Sequence, residues 1–196
     1  MTNVNNQVYD TLIIGGGPAG IFAAYLAKNK GLHPLLIEAN DCLGGQPLML
    51  YSQKIIHDYP GFKEIKTHVL MNNLIEQLNS ANVEVLLKTT IVSYNKDKEL
   101  FKVKLTSGKE VITKSIIIAS GAGLFQQNKL EVPGVDPTNV EYTVRDLKEY
   151  KGKDIIVLGG GDSAVDWANE LAICQYPESV SIVHRRNEFR ANGDNV

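Results

Sequence analysis

A short apolar strand followed by a glycine-rich turn and a helix occurs twice in this chain, and this repetition limits its possible folds more than any other feature. The first copy runs from residues 11–14 into Gly15-Gly16-Gly17-Pro18-Ala19-Gly20, and the second from residues 154–158 into Gly159-Gly160-Gly161-Asp162-Ser163-Ala164. Another apolar strand follows each helix, at residues 34–38 and 180–183. Strand, helix and strand in this order form a βαβ unit with parallel strands. The sequence therefore predicts an α/β fold with two Rossmann-like dinucleotide-binding domains.

The segment between the two βαβ units has a different pattern. Residues 91–94, 100–106 and 110–114 are short strand-like runs joined by tight turns, which predicts an antiparallel β-meander beside the parallel sheet. An amphipathic helix is expected to begin at an N-cap Thr67 and to end near Asn82. Residues 115–122 are expected to form a buried strand that returns to the first sheet. Residues 40–66 are predicted to be long loops over a site, and residues 143–151 a polar helix.

After the strand predicted at residues 115–122, the order of strand, glycine turn, helix and strand begins again, which predicts two domains. We expect the first at residues 1–124 and the second at residues 125–196, with a hinge near Leu124 to Gln127.

Composition and charge exclude several classes of protein. Apolar residues make up 43% of the 196 residues and charged residues 21%, which is typical of a globular chain and not of a disordered or coiled-coil one. A net charge of -2 offers no general attraction to nucleic acids or anionic membranes. The N-terminal residues do not resemble a signal peptide and no apolar run could span a membrane, so we expect a cytoplasmic protein.

The cysteines are too few and too far apart for metal or disulfide chemistry. Cys42 and Cys174 lack Cys-x-x-Cys spacing, which argues against a disulfide framework, a zinc site and a dithiol redox centre. We expect no metal site and two cysteines buried as small apolar side chains.

The first glycine turn has the pattern of a dinucleotide-binding site. In this pattern Gly15, Gly17 and Gly20 permit a tight turn, a close approach of the backbone to a pyrophosphate and close packing of helix on strand. A β-branched side chain at Gly17 is expected to fill the pyrophosphate space and to resist the backbone angles of the turn. Glu38 ends the next strand, where its carboxylate can accept hydrogen bonds from ribose hydroxyls. The alternative is a purely structural turn with a surface glutamate.

The second glycine turn ends on a different kind of residue. Its pattern is Gly159-x-Gly161-x-x-Ala164, and the strand after its helix runs into His184-Arg185-Arg186, with Arg190 close behind. Guanidinium groups bind a 2'-phosphate that a carboxylate would repel, so this site is expected to prefer NADP(H) over NAD(H). Asp162 and Ser163 are expected to begin the helix. Three arginines on a solvated face are the plain alternative.

Two sites of different charge in one chain indicate a permanently bound FAD and a transiently bound NADPH. Hydride transfer requires contact between the nicotinamide ring of NADPH and the flavin ring of FAD. Together the two glycine turns, Gly44-Gly45-Gln46, Ala119-Ser120-Gly121-Ala122 and His184-Arg185-Arg186 resemble the thioredoxin-reductase-like flavoproteins. The FAD contacts are then expected at Gly15, Gly17, Pro18, Ala19, Gly20, Glu38, Gly45, Gln46, Tyr51, Asp58, Ala119 and Gly121. The NADPH contacts are expected at Gly159, Gly161, Asp162, Ser163, Ala164, His184, Arg185, Arg186 and Arg190.

Within that superfamily the absence of a cysteine pair before the second glycine turn argues against thioredoxin reductase. The stretches 45–61 and 161–168 instead resemble the ferredoxin/flavodoxin-NADP reductases built on the same scaffold. The resemblance implies that Tyr51 stacks on the flavin, that Gln46 and Asp58 lie beside it, and that the electrons pass to ferredoxin or flavodoxin. No side chain is expected to act as acid, base or nucleophile, because the cofactors carry the chemistry.

Members of that family continue well beyond the position that corresponds to Val196. The resemblance therefore implies an FAD domain without its C-terminal segment and only the N-terminal part of an NADP domain, which makes the second domain incomplete. We expect such a chain to self-associate or to form a homodimer through unpaired strand edges. Two other functions stay open: a disulfide reductase whose cysteines lie elsewhere, and a nucleotide-binding fragment without turnover.

Overall fold

The computed structural model of the protein describes residues 7–123, 130, 132–142, 144 and 146–191. It divides into two compact units, Met1–Thr143 and Val144–Val196. The predicted hinge near Leu124 to Gln127 and the predicted boundary at residues 124 and 125 lie outside the described residues, so the domain bounds stay a prediction.

The described part of the first unit contains ten strands and three α-helices. In chain order they are β1 (Val8–Tyr9), β2 (Thr11–Ile14), α1 (Pro18–Asn29), β3 (Pro34–Ile37), α2 (Gly45–Tyr51), β4 (Ile55–Ile56), β5 (Ile65–Lys66), α3 (Thr67–Ser80), β6 (Glu84–Leu86), β7 (Ile91–Asp97), β8 (Leu100–Leu105), β9 (Glu110–Thr113) and β10 (Ile116–Ile118).

A four-stranded parallel sheet in the order β10-β2-β3-β6 lies at the centre of the first unit. The side chains of β2 and β3 alternate between two apolar cores. Ile13 and Leu36 pack against helices α1 and α3, whereas Leu12, Leu35 and Ile37 pack against the antiparallel strands. Because both faces of these strands are covered, their sequences are continuously apolar.

The predicted meander is confirmed as the antiparallel pairing of β7, β8 and β9. Val103, Leu105 and Val111 face the parallel sheet, while Lys102 and Lys104 point to solvent. The sheet gains a fourth strand, β1, which pairs parallel with β9. The first unit therefore has three layers: helices, parallel sheet and antiparallel sheet.

The second unit repeats the predicted βαβ arrangement in its described residues. Strand β11 (Asp154–Leu158) pairs in parallel with β12 (Ser179–Val183), and α4 (Asp162–Ile173) connects them. Val165 and Leu171 of α4 are buried, which gives this unit its small core. On the sheet, alternate side chains are exposed: Ile156 is 64%, Leu158 54% and Val183 52% exposed.

The α/β fold class with parallel sheets is confirmed, but several local predictions are wrong. Residues 40–66 contain a short helix, α2, and an antiparallel pair, β4 with β5. Thr67 is the first residue of α3 and not its N-cap, since its hydroxyl donates to the Lys54 carbonyl at 2.9 Å. Among the described residues of the helix predicted at 143–151, the structure forms a 3-10 turn at Leu147–Tyr150 and no α-helix.

The return strand is in the predicted place but not in the predicted environment. β10 pairs with β2 as expected, yet it forms the outer edge of the sheet and Ile118 is 75% exposed. No helix among the described residues is long and apolar enough to cross a membrane.

Candidate nucleotide-binding sites

The first glycine turn lies where the parallel strands of the first unit end. The Gly15 amide donates to the Ile37 carbonyl at 2.9 Å, and the Ala119 amide donates to the Ile14 carbonyl at 2.8 Å. These bonds bring the ends of β2, β3 and β10 to one edge of the sheet. In parallel α/β folds ligands bind at this edge.

Two of the three motif glycines are required by packing within the chain. Gly15 has a φ of +107°, and a Cβ there would lie 2.5 Å from the Ala119 carbonyl oxygen. A Cβ on Gly20 would overlap the Gly15 carbonyl oxygen and touch Ala119. The turn, the helix and the return strand therefore meet with no room for side chains, and this explains the small residue at 119.

Gly17 differs from its neighbours because the space beside it is open. Its backbone is extended, with a φ of -80° and a ψ of -176°, which any residue can adopt. The expectation that a side chain at Gly17 would strain the turn is therefore wrong. A Cβ there would come no nearer to the chain than 3.9 Å, to Gly45. The expected pyrophosphate space thus corresponds to the side of Gly17 that its Cβ would occupy, whereas a Cβ on Gly45 would lie 2.9 Å from the Gly17 Cα.

Helix α1 presents its N-terminus to this space. Pro18 occupies the first turn, and Ala19 and Gly20 follow it in the helix. In this described helix no side chain caps the N-terminus and no acidic residue occupies the first turn. Amide donors and the positive end of the helix dipole are thus left for an anionic group.

Glu38 comes directly after β3 and is buried, with 6% of its surface exposed. Its Oε2 accepts a hydrogen bond from the Gly16 amide at 2.5 Å. Its Oε1 accepts from both the amide and the side chain of Asn40, at 2.7 and 2.8 Å. The carboxylate is therefore joined to the glycine turn, and a surface glutamate is not what the structure shows.

The remaining residues predicted for the first site lie around this centre. Gly45 and Gln46 begin α2 and are half-buried, and the Gly44 amide donates to the Gly16 carbonyl at 2.8 Å. Tyr51 ends α2 with the Lys54 ammonium 5.2 Å from its ring centre. Asp58 is exposed between β4 and β5, and Gly121 is exposed after β10. Direct contacts therefore join the glycine turn to Glu38, Gly45 and Ala119, and the roles of the others stay predictions.

The second glycine turn links β11 to α4. Asp162 is the first residue of α4, followed by Ser163 and Ala164, as predicted. A Cβ on Gly159 would lie 2.9 Å from that of Ala164, whereas Gly161 has open space within 4 Å. As in the first unit, one motif glycine packs against the helix and another borders free space.

The residue between these two glycines carries a contact that the motif does not predict. A Cβ on Gly160 would overlap the imidazole ring of His184, which lies directly over the turn. The ring of His184 stacks on Phe189 at 5.6 Å between centroids, and its buried Nε2 has no hydrogen-bond partner in the described structure. The Arg190 amide donates to the Gly160 carbonyl at 2.7 Å. The segment after β12 is thus folded back onto the turn.

This segment exposes the predicted arginines. Arg185, Arg186 and Arg190 are all exposed, and residues 186–190 line an open pocket of about 270 Å³. Glu188 contributes the one carboxylate to that lining. Exposed guanidinium groups next to a glycine turn can bind a phosphate.

The two cysteines lie in different environments. Cys42 is exposed, so its predicted burial is wrong, and Cys174 is half-buried; neither forms a disulfide. No group of three or more His, Cys, Asp and Glu side chains that could hold a metal ion occurs in the part of the chain that the structure describes.

Sequence reasoning did not identify Asn40, Gly44, Gly160 or Phe189. Asn40 and Phe189 act on their partners through side-chain contacts that form only in the folded chain. The sequence did carry one signal for the middle glycine of each triplet, at positions 16 and 160. The motif requires glycine only at the first and third positions, so a third glycine indicates a further packing contact.

Comparisons with known proteins identify the family of the chain. A model of the pyridine nucleotide-disulphide oxidoreductase family matches residues 9–195. Two similar proteins are named ferredoxin--NADP reductase, from Streptococcus pneumoniae serotype 2 (43% identical over 187 residues, 95% of this chain) and Streptococcus mutans (40% identical, 97% of this chain). A solved thioredoxin reductase from Lactococcus lactis is 34% identical with a TM-score of 0.73, over 95% of this chain and 59% of its own. The resemblance to thioredoxin-reductase-like reductases is thus confirmed.

The matched region is shorter than the relatives themselves. The chain spans 57% of the length of each of the two ferredoxin--NADP reductases.

Proposed function

Since the chain belongs to the pyridine nucleotide-disulphide oxidoreductase family, we propose that it provides the two nucleotide sites of a reductase that transfers hydride from NADPH to FAD and electrons onward to ferredoxin or flavodoxin. Oxidoreduction with FAD and NADP(H) is the chemistry of the family. The observation that carries the specific proposal is the difference between the two strand ends. One ends on the buried carboxylate of Glu38 and the other on the exposed guanidinium groups of Arg185 and Arg186.

The residues of the first unit fit FAD. Gly17 borders the space for the pyrophosphate, Gly45 packs against Gly17 with no room for a side chain, and the uncapped start of α1 supplies donors and positive potential there. In our proposal Glu38 accepts a hydrogen bond from the adenosine ribose. Bound FAD would supply the redox chemistry, and the chain's contribution is to bind and orient it. Tyr51, Gln46, Asp58, Ala119 and Gly121 complete this site in our proposal.

The residues of the second unit fit NADPH. Gly161 and the start of α4 border open space for a pyrophosphate, as Gly17 and α1 do in the first unit. Arg185, Arg186 and Arg190 would bind the 2'-phosphate, with His184 beside them. A carboxylate in the place of these arginines would favour NADH instead.

We propose ferredoxin or flavodoxin as the electron acceptor for two reasons. The similar proteins are named ferredoxin--NADP reductase, and the two cysteines of this sequence are not spaced as a redox pair. A thioredoxin-type reductase needs a dithiol, whereas this sequence has two cysteines, which lie 132 positions apart and in different units. We keep the cytoplasm as the proposed location.

The proposal is tested first by the absorption spectrum of the purified chain. A flavin spectrum that bleaches when NADPH is added without oxygen supports the two cofactors and hydride transfer. Ferredoxin or flavodoxin is then offered as acceptor, with a protein disulfide for comparison. A chain without flavin after incubation with FAD, or a flavin that NADPH does not reduce, contradicts the proposal for this chain.

Self-association is a separate proposal that rests on exposed apolar strands. Ile156, Leu158 and Val183 lie on one face of the β11–β12 sheet, and Ile118 lies on the edge strand β10. Strand edges and apolar faces of this kind pair readily with another chain. We expect light scattering to give a mass of at least twice 21.6 kDa. A monodisperse monomer would contradict this proposal without affecting the cofactor assignment.

A further inference from the structure

Glu38 is fixed by a hydrogen-bond network that includes one residue outside the glycine motif. Asn40 donates two hydrogen bonds to the same oxygen, Oε1, from its main-chain amide at 2.7 Å and from its side chain at 2.8 Å. Asn40 is itself held, because its carbonyl accepts a hydrogen bond from the Lys88 amide at 2.9 Å. The Thr89 amide likewise donates to the Glu38 carbonyl at 2.8 Å. The loop after β6 therefore supports the loop after β3.

The distribution of donors makes the two carboxylate oxygens unequal. A carboxylate offers about four lone-pair positions, two on each oxygen. Oε1 receives two donors from Asn40, whereas Oε2 receives one, from the Gly16 amide. Oε2 thus has the remaining acceptor capacity, and it lies against the glycine turn.

We propose that Asn40 is a positioning residue for the first site: it holds Oε1 of Glu38 so that Oε2 accepts the hydrogen bond from the adenosine ribose. This inference rests on the proposed binding of FAD. Asn40 acts through Glu38 and needs no contact with the nucleotide. Without its side-chain donor, the carboxylate can turn away from the ribose or bind water at Oε1.

The test compares FAD with an FAD analogue whose adenosine lacks the 2' and 3' hydroxyls. Asn40→Ala should weaken FAD binding about tenfold, as expected for the loss of one charge-assisted hydrogen bond. Binding of the dideoxy analogue should not change, because it offers Glu38 no hydroxyl. Asn73→Ala, at an exposed position of α3, is the matched control and should leave both affinities unchanged. Titration of flavin fluorescence measures all of these affinities.

The same cycle is repeated in the Glu38→Ala background, which leaves Asn40 no side-chain acceptor at position 38, to separate positioning from direct contact. If Asn40 acts through Glu38, Asn40→Ala should have little further effect there. A full additional tenfold loss in that background would instead show that Asn40 contacts the nucleotide directly, which overturns the inference. Equal weakening of FAD and of the analogue would assign Asn40 a merely structural role and also overturn it.

Urea unfolding of each variant shows whether a loss of affinity reflects a loss of fold. Asn40→Ser, which keeps a short donor, should bind FAD with intermediate affinity and serves if Asn40→Ala fails to fold. Wild-type chain that binds FAD and the dideoxy analogue equally well would overturn the inference while FAD binding stands. Wild-type chain that binds neither would contradict the proposed function itself, and the inference with it.

Discussion

The two glycine turns share one backbone pattern but differ in how the residue after the second strand is used. In the first unit, Glu38 is buried and bonded to the Gly16 amide at 2.5 Å. In the second, His184 packs its ring onto Gly160 and the arginines that follow stay exposed. A buried, fully oriented carboxylate suits a ligand held permanently, and exposed guanidinium groups suit one that binds and leaves. In the proposed function, the motif sets where a dinucleotide binds, and the strand end sets which one.

Packing at the third glycine of the first turn should give the largest effect. Gly20→Ala would force a methyl group into the Gly15 carbonyl, which neither backbone can avoid, and should cost about 3 kcal/mol of folding free energy. Gly17→Ala is the matched control and should cost no more than about 1 kcal/mol, since only Gly45 is near. Urea unfolding followed by circular dichroism measures both. Equal costs would show that the turn does not pack as described.

Charge at the second strand end should have an effect of comparable size, on nucleotide binding and not on folding. Replacing Arg185 and Arg186 by Ala should weaken NADPH binding by about 1.5–3 kcal/mol for each charged hydrogen bond lost, with little change for NADH. Lys151→Ala, an exposed cation of the same unit, is the control. Calorimetric titration with each nucleotide gives the affinities. If NADPH and NADH lose equally, the 2'-phosphate assignment fails.

A smaller effect is expected at the middle glycine of the second turn. Gly160→Ala should displace the His184 ring and with it the stack on Phe189, at a cost of about 2 kcal/mol. Gly161→Ala, with open space beside it, should cost less than about 1 kcal/mol. Trp167 on α4 is the sole tryptophan, so its fluorescence reports unfolding of this unit. An unfolding midpoint unchanged by Gly160→Ala would mean that His184 does not lie on the turn.

The smallest effect is expected at Asp10, directly before β2, at the end of that strand opposite to the first glycine turn. There the Lys114 ammonium donates to Asp10 at 2.7 Å and the His33 amide donates at 2.8 Å, and these bonds lower the pKa of the Asp10 carboxyl. A lowered folded pKa means that the contribution to stability is complete above the unfolded pKa and is lost as the pH falls through the folded one. Lys114→Ala should raise the pKa of Asp10 towards its usual value, as measured by NMR titration. An unchanged pKa would show that this ion pair does not form in solution.

The sequence predicted those features that depend on neighbouring residues. Strand, glycine turn, helix and strand are contiguous, so both βαβ units could be placed from apolar runs and glycines alone. The pairing of β1 with β9 joins residues more than a hundred positions apart, and β6 is a three-residue strand whose side chains are only half-buried. Neither has a local pattern. In the described part of residues 143–151, where the sequence predicts a helix, the chain forms a 3-10 turn, and Tyr150 is the one described residue there that becomes buried.

The same distinction between local and long-range features applies to the two candidate nucleotide sites. Glycine positions and the acidic or basic strand end were visible in the sequence. The support that Asn40 gives to Glu38, and the packing of His184 on Gly160, depend on side chains that meet only once the loops are folded. The exposure of β10 could not be predicted either, because an apolar strand at a sheet edge has the same sequence as one in the middle.

The central claim is that the two turns hold two different nucleotides, and a crossed pair of variants tests it most directly. Gly17→Val and Gly161→Val each place a side chain in open space at one turn, on extended backbone that accepts it. Both variants are titrated with FAD and with NADPH. We predict that Gly17→Val loses FAD but retains NADPH, and that Gly161→Val retains FAD but loses NADPH. A full flavin complement in Gly17→Val, or loss of both nucleotides from either folded variant, would contradict the account.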